Sequence, residues 1–130
     1  MARILLIDDD ASLRGTMSRM LVPLGHEVFE AADGKQGLVR FWEIEPDVVV
    51  CDVILPERDG IEIVNAVKAA RPTTRVLAIS GGGQKRFLEL LRLAKDMGAD
   101  AALEKPFRKL DFVDAITRLC RPQAPGDPSI

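Results

Sequence analysis

Pro46-Asp47-Val48-Val49-Val50-Cys51-Asp52-Val53-Ile54-Leu55-Pro56 is the stretch that decides the fold. Val48 to Cys51 form an unbroken apolar run, which reads as a strand buried on both faces rather than one alternating between core and solvent. Asp52 ends that run at the point where the backbone must turn. Strands covered on both faces belong to parallel sheets flanked by helices, and ligands of such sheets bind outside the carboxyl ends of the strands. The Asp52 carboxylate is therefore displayed rather than entombed.

Three other strand ends repeat the pattern. Ile4-Leu5-Leu6-Ile7 runs into Asp8-Asp9-Asp10. Adjacent acids at one strand end repel one another unless a cation or basic group compensates, and Mg²⁺ takes one or two protein carboxylates alongside phosphate oxygens and water. Arg75-Val76-Leu77-Ala78-Ile79 delivers Ser80, followed by Gly81-Gly82-Gly83, and Asp100-Ala101-Ala102-Leu103-Glu104 delivers Lys105-Pro106-Phe107. Acids, an acid, a hydroxyl and an ammonium thus stand at four strand ends.

Strand-like runs at 3–7, 27–31, 47–52, 75–80 and 100–104 alternate with helical patterns at 11–22, 34–44, 60–71, 84–97 and 108–120. Five βα units in succession predict an α/β domain with a parallel sheet and helices on both faces. Asp10 or Ser12 is placed to cap the first helix, and Asp33-Gly34 opens the second. Gly25 and Gly98 follow the first and fourth helices, while Pro46 and Pro72 stop the second and third. Leu13, Met17, Met20 and Leu21 make one apolar stripe, as do Phe87, Leu90, Leu91 and Ala94, and both stripes read as core.

The 130 residues suffice for one domain with a single core, and 47% hydrophobic with 29% charged residues is an ordinary globular composition. A net charge of -2 supplies no general pull toward nucleic acid, so no direct nucleic-acid ligand is expected. Two cysteines, Cys51 and Cys120, imply no disulfide framework and suit a reducing cytosol. Met1-Ala2-Arg3 leads straight into a short strand without the pattern of a signal peptide, and no apolar stretch is long enough to span a membrane. A cytoplasmic protein without membrane insertion is the expectation.

The ordered set Asp8-Asp9, Asp52, Ser80 and Lys105-Pro106 resembles the receiver domain of two-component response regulators, over residues 2 to 121. Pro56 and Asp59-Gly60 also fit that family's loop after the phosphoacceptor. The resemblance implies a flavodoxin-like (βα)5 three-layer sandwich with strand order 2-1-3-4-5. It further implies a phosphoryl group accepted on Asp52, with Asp9, Asp52 and the backbone carbonyl of Ile54 on Mg²⁺ and Asp8 acting through a bound water. Lys105 would pair with Asp52 at rest and with a phosphate oxygen afterwards, and Ser80 would be the hydroxyl switch. The implied donor is a histidine kinase or histidine phosphotransfer protein. Output would go to a downstream protein through the fourth helix, fifth strand and fifth helix. Such a domain catalyses only its own phosphorylation and dephosphorylation, as a switch or a phosphorelay intermediate. Residues 1–121 would form it, and 122–130, with three prolines and a glycine in the last ten residues, would be a tail or linker.

Blander readings stand beside these. Asp8 to Asp10 suit a helix N-terminus on dipole grounds alone, Lys105 is of a type usually found at the surface, and Ser80 would begin a glycine turn in any case. Gly81-Gly82-Gly83 lacks the pattern of a nucleotide loop. His26, the only histidine, is expected to face solvent or pack locally. Two departures from the family pattern stand out. Ala102 replaces the aromatic residue that many receivers carry three positions before the lysine, and the stretch from Ser80 to Lys105 is longer than in many receivers. The first sends any signal through residues 81–83 and the fourth helix; the second points to atypical partners. Apolar Ile54, at a position that with Gly82 influences water access, implies slow loss of the phosphoryl group. The alternatives are a pseudo-receiver scaffold that binds partners without phosphorylation, and a phosphatase acting on external phosphoesters, for which the chain lacks the Asp-x-Asp spacing and cap segment.

Overall fold

Each run read as a strand forms one. The computed structural model describes residues 2–53, 60–81 and 85–120, the side chains at 85–88, 90 and 91 excepted. The readings of Ile54, Pro56, Asp59, Gly82, Gly83, Phe87, Leu90, Leu91 and the 122–130 tail fall outside that description. The chain runs β1 (Arg3–Ile7), α1 (Ala11–Leu21), β2 (Glu27–Ala31), α2 (Gly34–Ile44), β3 (Val48–Asp52), α3 (Gly60–Ala70), β4 (Arg75–Gly81), α4 (Lys85–Asp96), β5 (Ala101–Lys105) and α5 (Lys109–Cys120). All strand pairs are parallel and the order is β2-β1-β3-β4-β5, the flavodoxin-like sandwich expected of the sequence.

The register carries the chemistry to one end. Ile7 pairs with Cys51, Asp52 with Ile79, and Ser80 with Glu104, so the residues following these strands gather along the carboxyl edge of the sheet. β3 lies at the centre and is buried throughout. Its side chains alternate between two cores: Val48 and Val50 join Ile4, Leu6, Leu77 and Ile79 beneath α1 and α5, whereas Val49 and Cys51 join Leu5, Ile7 and Val76 beneath α2 and α3. Ala94 of α4 covers Ala78 and Val53. Met17 and Leu21 lie in the first of these cores with Leu13 and Met20 packed against it, as the stripe on α1 predicts.

The punctuation works through identifiable bonds. Asp10 caps α1 by accepting from the Leu13 amide at 3.1 Å, and Asp33 caps α2 by accepting from the Gln36 amide at 2.8 Å. After α1 a 3₁₀ turn, Val22–Leu24, ends on Gly25 with φ +94°, and Gly98 ends α4 with φ +113°, both left-handed conformations that favour glycine. At the opposite end of the sheet Lys68 of α3 donates to the carbonyls of Pro72 and Thr74 and to Asp100, fixing the entry into β4 and β5. His26 packs locally there, its Nδ1 accepting from the Ala2 amide at 3.1 Å, and burial lowers its pKa. Among the described residues no helix is long and apolar enough to cross a membrane.

Candidate functional site

Three strand ends converge on one ammonium group. Lys105 closes β5 with its Nζ 2.8 Å from Oδ2 of Asp52 and 2.8 Å from Oδ2 of Asp8. Asp52 is 6% exposed and Asp8 fully buried, so the strand-end carboxylate expected to be displayed is instead buried, and two carboxylates share one cation in a region that water scarcely reaches. Burial by itself would lower the Lys105 pKa; the close contacts and charges of Asp52 and Asp8 outweigh it and raise the value above that of an ordinary lysine. The lysine is therefore charged throughout the physiological range.

The acids are set by local bonds. Asp8 Oδ1 accepts from the Asp10 amide at 2.9 Å, and the Asp8 amide donates to the Ala31 carbonyl at 3.1 Å. The geometry of Lys105 toward Asp52 is that of a hydrogen bond, whereas toward Asp8 it is an ion pair without donor alignment. Asp8 Oδ2 is thus a buried carboxylate oxygen with a charge partner and no aligned donor, an arrangement that suits a further cation. Oxygens of Asp8, Asp9 and Asp52 all lie within 4.8 Å of one another, with Asp9 exposed above the two buried acids. Carboxylates so grouped fit a hard divalent cation that keeps part of its hydration shell.

Ser80 is buried at the end of β4, its Oγ 3.5 Å from the Gly81 carbonyl, at the outer limit of hydrogen-bond distance. The hydroxyl is lightly held. Gly60, at the start of α3, donates its amide to the Val53 carbonyl at 3.1 Å, and a Cβ there would stand 2.1 Å from the Asp52 carbonyl oxygen. Only glycine lets α3 come this close to the peptide that follows the acid. A hollow of about 430 Å³ opens beside Lys105 between α1 and the β5–α5 connection, lined by Asp10, Leu13, Met20, Gly81, Pro106 and Phe107 among others.

The structure therefore brings Asp8, Asp9, Asp52 and Lys105 together and places Ser80 on the same sheet edge. It places Ala102 half-buried in the middle of β5. Sequence reasoning missed Arg14, whose side chain is 15% exposed and whose guanidinium reaches the Asp8 carbonyl oxygen at 2.5 Å and Glu30 at 3.1 Å. Its place on α1, one turn past Asp10, does not by itself set it apart from a solvated helix residue.

A parallel five-stranded sheet in this order, with this set of acids and a lysine at its carboxyl edge, defines a receiver-type α/β domain. The chain matches the response regulator receiver domain over residues 4–117 and belongs to that family, as a CheY-like receiver domain of two-component systems. It is 27% identical over 121 residues to the chemotaxis protein CheY of Thermotoga maritima, covering 92% of this chain and 98% of that protein. To the sporulation initiation phosphotransferase F of Bacillus subtilis it is 30% identical over 116 residues, covering 89% and 91%. The crystallised chemotaxis protein CheY4 of Vibrio cholerae superposes with a TM-score of 0.82 at 31% identity, covering 92% of this chain and 98% of that one. In another solved relative the same fold occupies only 26% of a longer chain.

Proposed function

We propose that this receiver accepts a phosphoryl group on Asp52 from a phosphohistidine of a histidine kinase or histidine phosphotransfer protein, serving as a signalling switch or phosphorelay intermediate. The observation that carries this reading is the Lys105 ammonium held at 2.8 Å from both Asp8 and Asp52, beside a buried carboxylate oxygen that lacks an aligned donor. Transfer forms a bond between a carboxylate oxygen of Asp52 and phosphorus and breaks the phosphorus–nitrogen bond, whose electron pair stays with the donor imidazole. Most of the barrier is charge, because an anion attacks an anion.

Asp8, Asp9, Asp52 and the Ile54 carbonyl would hold Mg²⁺, which when bound neutralises charge on the transferring oxygens. Lys105 supplies the second positive charge. Once the phosphoryl group is on Asp52, the ammonium exchanges its carboxylate bond for one to a phosphate oxygen. Ser80, holding only a 3.5 Å contact, turns its hydroxyl to another phosphate oxygen. With Ala102 in place of an aromatic side chain, the consequence passes through residues 81–83 into α4. The downstream protein would be met on the fourth helix, fifth strand and fifth helix, where Leu93 near the end of α4 and Leu110 near the start of α5 are individually exposed at 43% and 80%. A chain with only two cysteines, Cys51 and Cys120, accords with a cytoplasmic setting. The only covalent chemistry assigned is the protein's own phosphorylation and dephosphorylation.

The test is incubation with acetyl phosphate and Mg²⁺ followed by intact mass, for the wild type and Asp52→Asn. A gain of one phosphoryl group by the wild type alone supports the assignment. No gain leaves the scaffold reading, and sustained phosphate release from many phosphoesters would mark a phosphatase.

A further inference from the structure

We propose that Arg14 is a positioning residue for the acidic pocket, setting its affinity for a divalent cation through the main chain of Asp8. The inference rests on the functional reading above, in which Asp8, Asp9 and Asp52 take such a cation.

Arg14 lies on α1 but spends its side chain on β1 and β2. Nη1 donates to the Asp8 carbonyl oxygen at 2.5 Å, and Nε donates to Glu30 Oε1 at 3.1 Å. Glu30 stands opposite Leu6 in the β1–β2 register, and the Asp8 amide donates to the next residue of β2, Ala31. The Asp8 peptide is thus held from both sides: its amide by β2, its carbonyl by a guanidinium that β2 itself orients. The Asp8 side chain is held in turn by the Asp10 amide, whose own residue caps α1. With those anchors in place, Oδ2 remains aimed at Lys105 and at the space shared with Asp9 and Asp52. The segment 8–10 carries three adjacent like charges that would otherwise spread apart. Arg14 is the tie that keeps them gathered.

The fork of the guanidinium matters as well as its charge. Two nitrogens on one rigid plane reach a carbonyl and a carboxylate together, whereas a lysine offers one ammonium on a flexible stem. Partners that orient the residues around a metal commonly change affinity 10–100-fold when removed. Because Arg14 holds a ligand residue's main chain rather than its carboxylate, the low end of that range, about tenfold, is expected.

The sign of the effect separates positioning from field. Removing a positive charge beside an acidic pocket would, by field alone, tighten cation binding; removing an anchor loosens it. Mg²⁺ affinity is measured by calorimetric titration and by the amide shifts of residues 8–10, for the wild type, Arg14→Ala and Arg14→Lys. Expected are an approximately tenfold weakening in Arg14→Ala and retention of most of that loss in Arg14→Lys, which keeps the charge but not the fork. Unchanged or tighter binding in Arg14→Ala, or full affinity in Arg14→Lys, overturns the inference. Should Arg14→Ala fail to fold, Arg14→Lys alone decides it. A wild type that binds no Mg²⁺ would instead bring down the functional reading on which the inference stands.

Discussion

Gly60→Ala is the perturbation for which the structure gives the sharpest expectation. A Cβ at position 60 would stand 2.1 Å from the Asp52 carbonyl oxygen, 2.4 Å from Val53 Cα and 2.7 Å from the Val53 carbonyl carbon. All three are backbone atoms, so no rotamer change relieves the contact. Either α3 or the end of β3 must move by about 1.3 Å to reach van der Waals separation, and forced expansion of a packed region typically costs about 1–3 kcal/mol. Because the strand involved is central and fully buried, the upper end applies, about 3 kcal/mol. For a chain of 130 residues, at about 4 °C per kcal/mol, the melting temperature should fall by about 12 °C. The displacement also moves Asp52, so the rate of labelling by acetyl phosphate should fall with it.

Gly37→Ala is the control. Its Cβ would meet Ile7 Cδ1 at 2.6 Å, Cγ1 at 3.0 Å and Cγ2 at 3.1 Å, all side-chain atoms, of which Cδ1 can swing clear while the two branch carbons must give by a few tenths of an ångström. The gain in helix propensity on replacing glycine, about 1 kcal/mol, offsets part of the cost. Net stability should fall by no more than about 2 kcal/mol, less than for Gly60→Ala because no backbone atom is struck. The assay is thermal and urea unfolding followed by circular dichroism, together with the phosphorylation rate. A fall of less than about 3 °C for Gly60→Ala, or equal effects of the two substitutions, would show that the reasoning about backbone contact is wrong.

Lys105→Met should bind Mg²⁺ more tightly, since no ammonium competes for Asp8 and Asp52, while phosphorylation slows by about 10²-fold through loss of a fixed charge; calorimetry and intact mass read the two, and an unchanged rate would remove Lys105 from the mechanism. The folded-state pKa of Lys105 is raised above 10.5, so the stability its ion pairs contribute is fully present below that pH and disappears as pH rises through the higher folded value. Urea unfolding from pH 9 upward should therefore show the wild type converging on Lys105→Met only in the strongly alkaline range. Ser80→Ala should still acquire the phosphoryl group but lose the amide-shift changes over residues 81–97 that beryllofluoride or phosphorylation produces in the wild type; retention of those changes would exclude the hydroxyl as the switch. Phospho-Asp52 should persist for minutes or longer because apolar Ile54 cannot orient an attacking water, and a lifetime of seconds would contradict that.

The receiver reading was legible because its parts announce themselves locally. A short, β-branched apolar run such as Val48 to Cys51, set off by Pro46 and ended by Asp52, reads as a strand covered on both faces, and Asp10, Asp33, Gly25 and Gly98 mark ends through bonds made within a few residues of themselves. The observed strands accordingly begin and end within a residue of the expected ones. Parallel pairing then puts every strand's carboxyl end on one edge, so Asp8, Asp52, Ser80 and Lys105 had to be near one another once the order of strands was known.

What the chain could not declare in one dimension is how its charges pair. Lys105 is 53 positions from Asp52, and it meets Asp8 as well, because β5 ends level with Gly81 while β1 and β3 end side by side. Arg14 carries no pattern that separates it from a solvated helix residue, yet folding sets it under the Asp8 carbonyl and against Glu30. Gly60 shows its necessity only when α3 is laid on β3. Local sequence determined the elements, since propensity, capping and hydrophobic period act over one or two turns. The tertiary structure alone decided the electrostatics, since the energy of a charge depends on burial and on partners that only the packed sheet brings within 3 Å.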